Sequence, residues 1–77
     1  MTEVITVTPE RDGWLVSRRS TGESHRFAGG QTAETMARQL GAALAEDGTA
    51  AEIVIVLRDG SLAAKIICRP QRLSALV

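Results

Sequence analysis

The chain has 77 residues, 44% of them hydrophobic, with nine basic and nine acidic side chains and a formal net charge of zero. That length allows one domain and no second core, and zero net charge supplies no global field toward nucleic acid or membrane. The aliphatic content is too high and the charge too low for a disordered chain, and no apolar run approaches the ~20 residues of a membrane span.

Cys68 is the only cysteine, so an internal disulfide and a cysteine-based zinc site are both excluded. A reduced, buried thiol in an intracellular protein is the expectation. The start, Met1-Thr2-Glu3-Val4, lacks the basic-then-apolar layout of a signal peptide, and a soluble cytoplasmic protein is expected. A domain this small buries only about 60–65% of the surface of its unfolded chain, which favours oligomerisation.

Glu3 to Thr8 is rich in β-branched residues and predicts a strand, with Pro9 at its end or edge. Asp12-Gly13 is the signal of a tight hairpin turn with a positive φ. Trp14 to Arg18 returns as a second strand, with Trp14 and Val16 on one face and Leu15 and Ser17 on the other. A turn at Ser20–Glu23 leads to a short third strand, Ser24–Ala28, which Gly29-Gly30 ends. A helix follows, with Thr32 as the expected N-cap, Glu34 in the first turn and Gly48 as the left-handed C-cap. Ala33, Met36, Ala37, Leu40 and Leu44 form its apolar stripe. Gly41 at the side of the stripe suggests a close helix–sheet approach, since it costs about 1 kcal/mol of helix propensity.

The run from Glu52 to Leu57 has no apolar–polar alternation, which predicts an interior strand covered on both faces. Arg58-Asp59-Gly60-Ser61 is a second turn, and Leu62 to Arg69 the last strand, stopped by Pro70. It echoes Arg11-Asp12-Gly13, a repetition that hairpin chemistry alone would produce.

Strand, strand, strand, helix, strand, strand predicts a two-layer α+β domain over residues 1–69, a small antiparallel sheet with one amphipathic helix on one face. The expected core is Ile5, Val7, Trp14, Val16, Met36, Leu40, Leu44, Ile53, Ile55, Leu57, Leu62 and Ile66. Leu15, Val54, Val56 and Ile67 then project from the other face, with no helix left to cover them. Burying each is worth about 1.5–3 kcal/mol, so such a face marks an interaction surface. The cover would be the tail, residues 70–77 with Leu73, Leu76 and Val77, or a second copy in a symmetric dimer.

No catalytic constellation can be assembled. His25 is the only histidine, without the companions a metal site or a nucleophilic pair requires. Asp12 and Asp59 belong to turns, and no phosphate-binding glycine loop is present. No cofactor or metal is expected. Arg18, Arg19, His25 and Arg26, with Lys65, Arg69 and Arg72, would form a phosphate-contacting rim if they converged. The only aromatics are Trp14 and Phe27, few for a single-strand binder. The expectation is therefore a self-associating, non-catalytic interaction module of unidentified protein partner, with weak nucleic-acid binding as the alternative.

Asp12-Gly13-Trp14-Leu15-Val16, Phe27 ahead of a helix with Ala33 and Ala37, Ile53-Val54-Ile55-Val56 and Arg58-Asp59-Gly60-Ser61-Leu62 together resemble the small bacterial domain-of-unknown-function 2188 family. The resemblance spans Val4 to Ala64. The chain departs from it in a longer last strand, in the tail beyond Ile66, and in Gly29-Gly30-Gln31-Thr32 where many members carry lysine. The family has no assigned activity, so the resemblance implies a fold and no mechanism.

Overall fold

A computed structural model of the chain describes residues 2–70. The elements are β1 (Thr2–Glu10), β2 (Gly13–Arg18), β3 (Ser24–Phe27), α1 (Gly30–Glu46), β4 (Ala50–Val56) and β5 (Leu62–Cys68). The strands make one sheet in the order β3-β2-β1-β4-β5, and α1 packs on one face of it. The fold is the expected two-layer α+β domain.

The sheet is mixed, which corrects the expectation of an antiparallel one. β1 and β4 run parallel, with Ile5 opposite Ile53 and Val7 opposite Ile55. The other three pairings are antiparallel. The reason is the helix: parallel neighbours need a long crossover, and α1 carries the chain from the β3 edge back to the far side of β1. β4 is interior as predicted, but β1 holds the middle of the sheet. Pro9 sits inside β1, opposite Trp14 and beyond the last β1–β4 partners, Val7 and Ile55. Its missing N–H therefore leaves that ladder intact.

One face supplies the core. Ile5, Val7, Val16, Ala51, Ile53 and Ile55 are buried there, joined by partly buried Trp14, Phe27, Ala64, Ile66 and Cys68. From the helix the buried line is Ala33, Ala37, Gly41 and Ala45, small residues one turn apart. Leu40 and Leu44 flank this line, half-buried, and Met36 is 44% exposed, against its expected place in the core. A β-carbon on Gly41 would lie 2.9 Å from Cys68 Sγ and 3.1 Å from Ile53 Cδ1. The helix therefore seats its smallest side chains, rather than its largest, on the sheet.

Leu57 and Leu62 also leave the expected core, at 46% and 57% exposure. Leu57 lies past the end of β4, where the chain enters the turn. Leu62 is displaced by an irregularity between Ile55 and Val56: Ile55 pairs with Ala64, but Val56 pairs with Leu62, so Ala63 is bulged out of register. Leu62 thus shares a face with Val56 instead of with Ala64.

The helix starts earlier than predicted. Gly29, with φ −112° and ψ 143°, is its N-cap and offers no side-chain hydrogen bond, so Thr32 lies inside the first turn rather than capping it. Its C-terminus follows the expectation: Gly48 has φ +92°, its N–H donates to the Ala45 carbonyl, and the Thr49 N–H donates to Leu44. These are the two bonds of a Schellman motif. The two Arg-Asp-Gly turns differ. Gly60 has the left-handed φ of +88°, and Asp59 Oδ1 accepts from both the Ser61 N–H and its hydroxyl. Gly13 instead opens β2, where a β-carbon would collide with the Phe27 carbonyl oxygen. Its φ is positive but nearly extended, +159°, so close approach of β3 rather than a left-handed turn explains that glycine.

Candidate functional site

The face away from α1 has no cover among the described residues. In register across β1, β4 and β5 it carries Val4, Glu52 and Ile67, then Thr6, Val54 and Lys65, with Ser17 of β2 beside Thr6. Leu15 pairs with Thr8 and with Arg26, and Val56 pairs with Leu62. The expected surface residues Leu15, Val54, Val56 and Ile67 are thus brought to one face. Val4 and Leu62 belong there too; alternation along β1 could have identified Val4, whereas the bulge concealed Leu62. Leu73, Leu76 and Val77 lie outside the described residues.

The face is less uniformly apolar than its β4 segment suggests. Leu15, Val54 and Val56 are half-buried by their strand neighbours, whereas Ile67 is 56% exposed. Threonines 6 and 8 and Ser17 fill the β1–β2 side. Two ion pairs lie on it, Arg26 Nε to Glu10 Oε1 at 3.2 Å and Lys65 Nζ to Glu52 Oε1 at 3.6 Å. Among the described residues the exposed large hydrophobics are Met36, Leu57, Leu62 and Ile67; all but Met36 belong to the β4–β5 hairpin.

The basic residues do not converge. Arg18, Arg19, His25 and Arg26 lie on or beside β2 and β3, while Lys65 and Arg69 lie on and just past β5, at the opposite edge. Three or four strand spacings separate the groups, about 14–19 Å. Arg18 is also committed elsewhere: its Nε donates to Glu3 Oε2 at 3.0 Å and its Nη1 lies 3.6 Å from Glu23. Arg72 is outside the described residues.

Glu3 is a buried carboxylate that no sequence pattern singles out. It sits on the helix side of β1 at 6% exposure, accepting from Ser20 Oγ at 2.8 Å as well as from Arg18. The Ser20 hydroxyl, foremost, and Arg18 hold its carboxyl below the ordinary range, against the opposing effect of burial. Both donors bond its Oε2, so it ties the start of β1 to the end of β2.

His25 is exposed on β3, and Cys68 is half-buried against Gly41. Among the described residues no three His, Cys, Asp or Glu side chains gather as metal ligands would. A shallow hollow between β3 and α1 is lined by His25, Phe27, Met36 and Leu40, without a nucleophile beside a base. No described helix is long and apolar enough to cross a membrane. No family model, curated protein or solved structure matches the chain.

Proposed function

We propose that this chain is a small, non-catalytic interaction module of the cytoplasm that associates with a second copy of itself. The observation that carries the reading is the concentration of exposed aliphatic side chains on one hairpin: Leu57, Leu62 and Ile67 are 46%, 57% and 56% exposed. Leu62 and Ile67 share the open sheet face with Val54 and Val56. Covering even two such side chains is worth a few kcal/mol, substantial for a domain whose whole stability is of order 5–10 kcal/mol. The nucleic-acid alternative has less support, because its cations are divided between two edges and Arg18, Arg26 and Lys65 each face a carboxylate.

Sedimentation velocity over a concentration series tests the proposal. A mass rising toward the dimer is expected by about a millimolar, as befits a small interface. A constant monomer mass throughout would overturn it.

A further inference from the structure

We infer that the second copy joins edge to edge, β5 against the partner's β5, extending the sheet across a two-fold axis. This rests on the self-association reading and specifies its geometry. The two edges of the sheet are unlike. β3 is four residues long, Ser24–Phe27, and carries His25 and Arg26; shortness and charge are the usual protections of an edge. β5 is seven residues long, Leu62–Cys68, with Lys65 its one charge, and that ammonium lies 3.6 Å from Glu52. Leu62 and Ile67 stand out from it into solvent, and among the described residues no strand lies on its outer side. A long, apolar, unprotected edge is a template for another strand.

The sequence of β5 also selects a register. The bulge at Ala63 leaves Ala64 to Cys68 as the regular run, with Ile66 at its midpoint. Antiparallel pairing about Ile66 sets Lys65 opposite the partner's Ile67 on the open face, and Ala64 opposite the partner's Cys68 on the helix face. Pairing about Lys65 would oppose two lysines, a destabilising contact. Pairing about Ala64 would carry the ladder across the bulge. The Ile66 register avoids both, makes about four to six backbone hydrogen bonds, and lays the methylene stem of Lys65 over the partner's isoleucine. A two-fold axis perpendicular to the sheet keeps both helices on one side. A strand of this same chain therefore fits the edge without altering any residue.

Ile67→Lys and Ile67→Glu test this geometry. Within one protomer Ile67 pairs with Glu52, so lysine there helps the fold and glutamate hinders it. Across the inferred dimer the order reverses, because position 67 faces the partner's Lys65. Sedimentation is expected to show the dissociation constant raised about tenfold or more by Ile67→Lys, and unchanged or lowered by Ile67→Glu with a new salt sensitivity. In the unaltered protein, hydrogen exchange of alternate β5 amides is expected to slow as concentration rises.

A dimer that both substitutions weaken equally, or whose β5 amides exchange independently of concentration, would overturn edge pairing and leave self-association standing. A monomer at every concentration would overturn both. Concentration-independent protection of the β5 amides that point away from β4 would mean that residues 71–77 of the same chain cover the edge, which also overturns the pairing.

Discussion

Glu3 shows how much a single buried acid can do when its partners come from another strand. Its carboxylate accepts from Ser20 and Arg18, seventeen and fifteen residues away, and these bonds are what lower its pKa from the usual 4.5. A carboxyl whose folded pKa is depressed adds stability above its unfolded pKa. That stability is lost as pH falls through the folded value. Unfolding free energy, measured by urea titration, is therefore expected to decline as pH drops below about 4.5, with Glu3→Gln flattening part of the slope. Asp59, lowered likewise by the Ser61 hydroxyl and N–H, adds to the slope. An unaltered slope in Glu3→Gln would mean that the Ser20 and Arg18 bonds contribute nothing to the fold. None of this was legible in the sequence, where Glu3 reads as one charge at the start of a β-branched run. A strand's alternation tells which face a residue takes, and nothing about which distant hydroxyl meets it there.

At the scale of elements, the spacing between α1 and the sheet is set by Gly41. An alanine there would gain about 1 kcal/mol of helix propensity. Its β-carbon would meet Cys68 Sγ at 2.9 Å and Ile53 Cδ1 at 3.1 Å, and overpacking of this kind costs about 1–3 kcal/mol. Gly41→Ala is therefore expected to be net destabilising by about 1 kcal/mol. Cys68→Ala in the same chain should recover most of the loss by vacating the closer contact, giving a coupling energy near 1 kcal/mol in a urea double-mutant cycle. Additive effects would show that the helix simply shifts to accommodate the methyl group. The tight approach was legible, since a glycine in mid-helix needs a packing reason. The choice of small residues over Met36 was not, because apolar periodicity ranks side chains by hydrophobicity and ignores the gap they must fill. Hairpins were legible from their turns, while the parallel β1–β4 pair was not. No local signal records which strand a crossover helix returns to, and no local signal in β5 announces the bulge that turns Leu62 outward.

Considered whole, the molecule has a sheet with a covered face, an open face and one poorly protected edge, and residues 71–77 follow directly after that edge. The unbroken apolar run of β4 correctly indicated an interior strand with a second face to account for. What it overstated was the greasiness of that face, because threonine, serine and two ion pairs from other strands share it. Truncation after Pro70 separates the possible covers. If β5 pairs with its counterpart through Ala64 to Cys68, the contact lies wholly upstream of the cut, and the shortened chain should dimerise within about threefold of the original, equivalent to about 0.6 kcal/mol. If Leu73, Leu76 and Val77 instead lie over the protomer's own open face, removing them would expose it and tighten association. If they cross to the partner, removal would abolish the dimer while circular dichroism still reports the fold. The first outcome is the one expected, because Ile67, 56% exposed, is on the edge strand itself and within the paired run. Two copies can shield Ile67 beneath the partner's Lys65 by a contact that needs nothing beyond the sheet.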